Sequence, residues 1–438
     1  MSQPDYKDTV RSWLGDVPTS WQVRRLKTVI SQPITDGPHE TPEFLSEGIP
    51  FLSVDGIQNG DLVFDGCRYI SQAAHKEYQR KCAPCYNDIL LGKAASTGKI
   101  ARVKVDFDFS IWSPLALIRP NQSEMRPDFL EYSLKSVATQ AQIDCLCTAN
   151  TQKNISMQDI PSLVLCVPPF QNQINIAAYL NEQTAKIDQL MEMRRRQMAL
   201  LKEQRAAMIQ EAVTRGLNPN VPMKDSGLPW LGEIPAHWDV KSVKFAARIL
   251  RGRFGHRPRT DPLLYDGPYP FVQTGDVATA KKYLSSYKQT LNEKGYGVSV
   301  EFPAGTLLMA IAANIGDLAI LGINACLPDS IVGFFPYTGI DVEFLYYQLS
   351  CMQIRLHALA PENTQMNLNI DRLSPEKIVV PPYEEQKEIC RLINESEANI
   401  ESALSAYTRQ LTLLTEYRAA LIHECVTGQR SVPETSNA

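Results

Sequence analysis

The sequence predicts an α+β fold: two mixed helix-and-sheet domains in a pseudo-two-fold arrangement, separated by two long helices packed as an antiparallel coiled coil. Two observations predict it. The chain repeats itself with a period of about 215 residues, far longer than the repeats of solenoids or propellers, so each copy should hold a whole domain. Each copy also changes once from short strand-like runs to a long stretch without Gly or Pro. The 438 residues and 44% hydrophobic composition allow two separate cores.

The repeat runs through every motif in the same order. Trp13 opens the string WLGDVPTSW and Trp230 opens WLGEIPAHW. Further matched strings are IPFLSVDGI with YPFVQTGDV, DILLGKAASTGKIA with TLLMAIAANIGDLA, NTQKNIS with NTQMNLN, and EQRAAMIQEAVT with EYRAALIHECVT. Chance similarity would not preserve this order, so half of the chain restates the other half.

The first part of each copy has the pattern of a mixed sheet with loops. Strand-like runs such as IPFLSV, DILL and LVLCV are broken by Gly, Pro, Asn and Asp. We therefore predict one mixed domain over residues 1–167 and a second over residues 217–379.

A long helix is predicted after each mixed domain, over residues 168–216 and 380–430, followed by a disordered polar tail over 431–438. The first stretch has no Gly or Pro between the VPPF string and Gly216, which allows a helix of roughly 70 Å. Apolar residues recur about every seven positions, as in a coiled coil. The predicted seam comprises Ile176, Leu180, Ile187, Leu190, Leu201, Ile393, Ile400, Tyr407, Leu414 and Leu421.

The alternative for these helices is that each lies independently on its own domain. A helix of roughly 70 Å would outreach a domain whose radius should be about 15 Å. Packing of the two helices on each other is therefore favoured.

The sequence favours neither a membrane protein nor a metal site. The segment MSQPDYKD is polar and there is no run of 18 apolar residues, so we expect a cytoplasmic protein without membrane association. The ten cysteines are scattered, and the pairs Cys82/Cys85 and Cys145/Cys147 have no well-spaced partner pair in the second copy. Buried free thiols are the favoured interpretation, and no metal site is expected.

Motif fragments that suggest catalysis fail on inspection. The strings VPPF and VPPY resemble the loop of amino-methyltransferases, but Val167 and Val380 stand where an Asn must accept from the target amino group. Five residues separate Gly92 from Gly98, one too many for a phosphate loop. We therefore expect no catalytic residue, and we interpret the GK segment as a strand-turn-strand with exposed cations.

A basic loop in the second copy is the main charge feature of a chain with net charge −4. The segment 241–259 holds seven Lys and Arg residues and no acid, and its string RGRFGHRPR has the Gly and Pro of a loop. Arginines on a loop suit bidentate contacts to phosphate or guanine. A merely solvated basic loop fits the composition equally well. The corresponding string in the first copy, ITDGPHETP, is not basic, which suggests two readers of different sequences.

These strings, together with DGPHETP and the PPxxxQ start of each long helix, resemble the specificity subunit of type I restriction-modification systems over about residues 10–430. The resemblance implies that each mixed domain is a target recognition domain reading half of a split duplex DNA site. It also implies that the long helices form a spacer that docks two methyltransferase subunits. The chain itself would be non-catalytic and would bind no cofactor.

The assembled complex would then be an adenine-specific DNA methyltransferase, with S-adenosylmethionine in the methyltransferase subunits. Restriction or translocase subunits could add an ATP-dependent endonuclease. Two alternatives stay open: a coiled-coil protein-interaction scaffold without DNA specificity, and an enzyme with an unfamiliar site.

Candidate DNA-binding residues follow from the matched motifs and from the basic loop. In the first domain Glu40 replaces the usual Gly of the family pattern DGxHGTP. The candidates of the first domain are Gly37, His39, Thr41, Lys93, Ser96, Thr97, Lys99, Asn150 and Gln152. Those of the second domain are Arg251, Arg253, His256, Arg257, Arg259, Gln273, Thr274, Asn314, Asn363 and Gln365.

Overall fold

The computed structural model describes residues 13–148, 153–256, 258–359 and 368–433, and all counts below refer to these residues. They form two compact units. Unit 1 comprises Met1–Arg195 with Thr408–Ala438, and unit 2 comprises Arg196–Tyr407. Each unit therefore contains one mixed domain and a part of both long helices.

The mixed domain of unit 1 consists of short strands and three helices. Ser71 and Ser136 cap two of the helices by accepting hydrogen bonds from the amides of Ala74 and Thr139. The strands are β1 (Gln22–Arg25), β2 (Thr35–Asp36), β3 (Ile49–Leu52), β4 (Ile57–Gln58), β5 (Asp61–Leu62), β6 (Arg68–Ile70), β7 (Ile89–Gly92), β8 (Ile100–Arg102), β9 (Ser110–Ile111), β10 (Leu115–Ile118) and β11 (Val164–Val167). The helices are α1 (Gln72–Tyr78), α2 (Pro127–Lys135) and α3 (Val137–Leu146).

The strands of unit 1 form two main sheets. An antiparallel sheet has the order β2-β10-β7-β8, and a second sheet has the order β6-β3-β9, in which β3 and β9 are parallel. Strands β1 and β11 pair with each other, as do β4 and β5. The strands β7 and β10 are buried along their whole length, and Ile89 and Leu91 pack with Phe129 of α2 in the main core.

The two long helices are α4 (Phe170–Arg215) and α11 (Tyr383–Thr427). Within unit 1 the start of α4 packs against the end of α11, and an ion pair of 3.0 Å joins Arg418 Nε to Asp188 Oδ1. Within unit 2 the end of α4 packs against the start of α11, where Arg205 Nε donates to Glu397 Oε1 over 2.8 Å. In both units the helices run in opposite directions, so the predicted α+β class and the antiparallel helix pair are confirmed.

The predicted seam is buried near the helix ends and more exposed in the middle. Ile176, Leu180, Ile187 and Leu421 lie in the core of unit 1, with Leu414 partly buried beside them, and Ile393 lies in the core of unit 2. Three other seam residues are half-buried: Leu201, Ile400 and Tyr407. Leu190 is 41% exposed, so the structure corrects its assignment to a buried seam. The seven-residue pattern ignores the polar residues that interrupt the middle of the helices.

The mixed domain of unit 2 repeats this construction with more elements. Asp341 caps one helix by accepting from the amides of Glu343 and Phe344. The strands are β12 (Met223–Asp225), β13 (Glu233–Pro235), β14 (Asp239–Ser242), β15 (Ala247–Arg251), β16 (Tyr265–Phe271), β17 (Tyr283–Leu284), β18 (Gln289–Leu291), β19 (Glu301–Phe302), β20 (Leu307–Ala310), β21 (Leu318–Leu321), β22 (Ala325–Cys326), β23 (Ile331–Pro336) and β24 (Lys377–Val380). The helices are α5 (Val243–Ala246), α6 (Thr274–Thr279), α7 (Glu293–Gly297), α8 (Val342–Cys351), α9 (Gln353–Leu359) and α10 (Ile370–Leu373).

The sheets of unit 2 match those of unit 1. The order β15-β23-β20-β21-β17 repeats the order β2-β10-β7-β8 with β17 added, and β18-β16-β22-β19 repeats β6-β3-β9 with β19 added. Leu307 and Met309 of β20 pack with Leu345 of α8, as Ile89 and Leu91 pack with Phe129 in unit 1. The repeat seen in the sequence is therefore a repeat of strand order and of core.

The start of each long helix is tied to its mixed domain by one buried glutamine. Gln173 Oε1 accepts from the amide of Arg126 over 2.8 Å, and its Nε2 donates to the carbonyls of Glu124 and Pro168. Gln386 makes the same three bonds, to the amide of Asp341 and to two carbonyls. The glutamine of the PPxxxQ motif therefore fixes the helix to the domain before it.

The end of each long helix meets a tryptophan from the opening string of the other copy. Gly216 and Gly428 both adopt a positive φ, near +78°, which suits glycine at a helix end. A Cβ on Gly216 would lie 3.1 Å from Trp238 Cζ2, and a Cβ on Gly428 would lie 3.3 Å from Trp21 Cη2. Each unit is thus closed by residues from both copies of the repeat.

Candidate nucleic-acid interface

The turn after β7 has the same backbone as the turn after β20. Ala95 and Ala313 have φ of 63° and 62°, and Gly98 and Gly316 have φ of 91° and 85°. Alanine rarely adopts a positive φ, so the agreement marks equivalent positions. Ser96 is therefore equivalent to Asn314, which is exposed, while Ser96 is half-buried. The turn is shared and its side chains differ.

A cluster of charges surrounds Asp36 at the end of β2. Lys81 Nζ lies 2.5 Å from Asp36 Oδ1, and Lys93 Nζ lies 2.8 Å from Oδ2. His39 Nε2 is 3.1 Å from the same Oδ2. Burial alone would raise the pKa of Asp36, but the hydrogen bonds and charges of Lys81 and Lys93 lower it below its usual value. The aspartate of the DGPHETP motif therefore organises the cations around it.

The lysines of the turn after β7 are largely occupied within unit 1. The side chain of Lys93 is only 12% exposed, so its predicted exposure is wrong, because Asp36 draws its ammonium group inward. Lys99 Nζ donates to the carbonyl of Ile57 over 3.0 Å, and Thr97 Oγ1 donates to the carbonyl of Lys153 over 2.6 Å. The three side chains therefore hold the turn in place within unit 1. That these residues contact DNA stays a prediction.

The DGPHETP motif divides into buried and exposed residues. Gly37 is buried, and a Cβ there would lie 1.8 Å from the carbonyl oxygen of Ile111. His39 and Thr41 are exposed. The glycine thus allows a close backbone approach, and the motif presents two polar side chains to solvent.

A concavity of about 570 Å³ lies beside this turn in unit 1. Its lining includes Ser53, Arg68, Ser96 and Trp112. The guanidinium of Arg68 lies over the ring of Phe44, with 4.5 Å between Cζ and the ring centroid. Sequence reasoning missed Arg68, because an isolated arginine in a short strand has no motif; aligning the two copies strand by strand could have found it.

The basic loop of unit 2 is held by two aspartates. Arg251 Nε donates to the carbonyl of Asp329 over 2.5 Å, and Arg259 forms an ion pair with the carboxylate of the same residue. His256 Nε2 lies 3.2 Å from Asp261 Oδ2. Arg253 is exposed and makes no hydrogen bond or ion pair with the described residues. Arg257 lies outside the described residues.

Two further predicted residues lie at the start of α6. Gln273 precedes the helix, and its Nε2 donates to Gln289 Oε1 over 3.2 Å. Its backbone amide donates to Asp276 Oδ2, which fixes the helix start. Thr274 is half-buried. The side chain of Gln273, a predicted site residue, therefore contacts β18.

The matched strings NTQKNIS and NTQMNLN lie partly outside the described residues. Asn150, Gln152, Asn363 and Gln365 are not among the described residues. The residues that follow them are equivalent in the two units: the amide of Ile155 donates to the carbonyl of Lys93, and the amide of Leu368 donates to the carbonyl of Ile311. The described residues Ile155 and Leu368 therefore bond to the turns after β7 and β20.

Across the ranges that the structure covers, the helices include none with enough length and apolar character to cross a membrane. In the same ranges, His, Cys, Asp and Glu side chains form no group of three or more that could hold a metal ion.

A family model described as the type I restriction modification DNA specificity domain matches the chain twice, over residues 18–198 and 236–406. A putative type I restriction enzyme specificity subunit, MjaX of Methanocaldococcus jannaschii, is 24% identical over 388 residues, covering 86% of this chain and 87% of that protein. The EcoKI specificity subunit of Escherichia coli is 20% identical over 409 residues, covering 87% and 83%.

Two solved structures share the fold. One, from a study of complex assembly and conformational transition of the type I R-M system, matches with a TM-score of 0.74 at 16% identity, covering 95% of this chain and all of that one. The HsdS subunit of Thermoanaerobacter tengcongensis matches with a TM-score of 0.53 at 15% identity, covering 95% and 98%.

Proposed function

We propose that this chain, which belongs to the type I restriction-modification DNA specificity family, reads a bipartite duplex target with two different recognition domains. The chain is the specificity subunit, and its two domains supply the sequence choice. Each domain would read one half of the target. The observation that carries this proposal is that equivalent positions on one shared framework hold different side chains.

The shared framework with different side chains is clearest at the ends of β2 and β15. Asp36 pairs with Ala116 in one ladder and Arg251 pairs with Val332 in the other, at equivalent registers. Each is followed by a glycine whose added Cβ would meet a backbone carbonyl, at 1.8 Å for Gly37 and 2.2 Å for Gly252. A duplicated binder of a single ligand would be expected to keep one shared site, whereas readers of two half-sites would not.

Affinity and sequence choice would come from different residues. Arg253, which is exposed and unpaired within the described residues, suits a phosphate contact, which adds affinity without sequence information. Asn314 in the turn after β20 is an exposed polar side chain, as are His39 and Thr41 in the DGPHETP motif. These side chains suit base edges or water-mediated contacts. The carboxylate-bound Lys81 and Lys93 would position the loop.

We further propose that the long helices dock two methyltransferase subunits, which would carry S-adenosylmethionine and methylate adenine. A restriction subunit could join the same complex. Support comes from the family and from α4 and α11, which extend beyond what either mixed domain needs for its own core. The interaction scaffold without DNA specificity is not favoured, because the matching family is defined by DNA specificity.

Methylome sequencing tests the recognition function directly. A host carrying the partner methyltransferase genes is compared with and without this chain. The expected result is one new methylated motif made of two short sequences with a fixed gap. Absence of any new motif, with the complex assembled, would contradict the proposal.

Salt dependence of binding tests the phosphate contact. The slope of log K against log salt for a duplex carrying the motif should weaken by about 0.9 in Arg253→Ala, the contribution of one phosphate. Lys281→Ala is the matched control, because Lys281 is exposed in the same unit but pairs with Glu401. A scaffold that binds only proteins would show no such steep slope for DNA.

A further inference from the structure

Arg68 and Gln289 occupy the same place in the two units. Arg68 of β6 pairs with Phe51 of β3, and Gln289 of β18 pairs with Phe271 of β16. The phenylalanines belong to the matched strings IPFLSV and YPFVQT. The two ladders continue in step, with Ile70 opposite Ile49 and Leu291 opposite Tyr269. Strand register therefore makes the arginine and the glutamine equivalent.

The guanidinium of Arg68 is oriented by aromatic rings and not by acids. Its Cζ lies 4.5 Å from the ring centroid of Phe44 and 5.7 Å from that of Trp112. The side chain is exposed and makes no hydrogen bond or ion pair with the described residues. Contact with ring faces restrains the guanidinium and leaves its N–H donors available. A restrained arginine fork suits bidentate recognition.

The surroundings of Arg68 favour a base edge over a phosphate. The same concavity is lined by Asp55 and Asp65, whose carboxylates would repel a phosphate. A guanine presents O6 and N7 to an arginine fork, and the paired cytosine presents an amino donor to a carboxylate. The mixture of one arginine with two carboxylates therefore matches a G·C pair better than it matches the DNA backbone.

Gln289 is likewise exposed and oriented by a neighbour. Its Oε1 accepts from Gln273 Nε2 over 3.2 Å, which fixes the plane of the amide. The Nε2 donors and the second lone pair of Oε1 stay available. Gln273 is equivalent to Ser53 in the matched strings, and Ser53 lines the concavity beside Arg68. A glutamine presented in this way suits the N6 and N7 atoms of adenine.

We infer that Arg68 and Gln289 are specificity-determining residues at one shared position, with Arg68 reading a guanine in one half of the target and Gln289 reading an adenine in the other. This inference rests on the proposed function. It assigns part of the difference between the two half-sites to a single register-matched pair.

The test uses the full chain in complex with its methyltransferase subunits and a pool of duplex DNA with randomised sequence. Bound molecules are sequenced for the native chain and for Arg68→Ala, Arg68→Lys, Arg68→Gln and Gln289→Arg. Arg68→Ala should reduce the preference for guanine at one position by about 10- to 100-fold and leave the other half-site unchanged. Arg68→Gln should favour adenine there, and Gln289→Arg should favour guanine at the corresponding position of the other half-site.

Two controls separate base reading from the loss of a positive charge. Arg68→Lys keeps the charge but loses the planar fork, so it should weaken the guanine preference less than Arg68→Ala does while keeping the salt slope. Arg80→Ala removes an exposed arginine of the same unit that does not line the concavity, and it should leave every base preference unchanged. An unchanged motif in Arg68→Ala, or a uniform loss of affinity over all sequences, would overturn the inference. If the native chain itself enriches no split motif, the proposed function fails instead.

Discussion

The two recognition units keep the same buried contacts at the start of each long helix and differ in the charged residues at equivalent positions. Gln173 and Gln386 make the same three hydrogen bonds. In contrast, Arg251 replaces Asp36, and Asp317 stands in the turn where unit 1 has Lys99. The backbone of the turn is unchanged by this reversal, because it depends on positive φ values and close backbone packing. Specificity can therefore change without altering the fold.

The largest effect is expected where the shared framework has no room for a side chain. Gly37→Ala and Gly252→Ala should each destabilise their own unit by about 3 kcal/mol or more, because the new Cβ would overlap a backbone carbonyl. Urea unfolding with hydrogen exchange would assign the loss to one unit. Gly275→Ala is the control, since nothing lies within 4 Å of its Cβ position, and it should change stability by less than about 1 kcal/mol. If only one of the two variants lost stability, the framework would not be shared at this position.

A smaller effect is expected at the start of the long helices. Gln173→Ala and Gln386→Ala should each cost about 2 kcal/mol, because each leaves a buried backbone amide without its acceptor. Thermal unfolding of the two variants measures the cost. Gln189→Ala, at an exposed position of the same helix as Gln173, should be nearly neutral. Unequal losses at the two glutamines would weaken the equivalence of the units.

The smallest effect concerns the charge that distinguishes the units. The lowered pKa of Asp36 means that its ionised form stabilises unit 1 above the pKa of the unfolded chain, about 3.9, and that this stability is lost as the pH falls through the lower, folded-state pKa. The free energy of unfolding of native unit 1 should therefore exceed that of Asp36→Asn by about 1 to 2 kcal/mol near pH 7, because the variant leaves the ammonium groups of Lys81 and Lys93 without their carboxylate. This difference should shrink below about pH 4.

Unfolding of both proteins between pH 2 and pH 7 measures this difference. Unit 2 has Arg251 in place of the aspartate, so Arg251→Ala serves as the comparison and should give no matching change through protonation at that position. A constant difference between native protein and Asp36→Asn down to pH 2 would contradict the proposed role of the Asp36 cluster.

The duplication, the two long helices and the divergence of the loops can all be predicted from the amino-acid sequence. These features follow from order and periodicity along the chain, which need no knowledge of contacts between distant residues. The helices begin within three residues of the predicted starts, at Phe170 and Tyr383, because the PPxxxQ motif is a local signal. The DGPHETP motif is likewise visible in the sequence, but the packing that requires its aspartate and glycine is not.

Contacts between distant side chains are visible only in the folded chain. Asp36 gathers Lys81 and Lys93 from other elements, and Lys93 is consequently buried although its string looked exposed. Arg68 became a candidate only when strand pairing placed it opposite Phe51, as Gln289 is placed opposite Phe271. Likewise, Gly428 meets Trp21 from the far end of the sequence. Ladder register and burial depend on residues far apart in the chain, and no periodicity along the sequence records them.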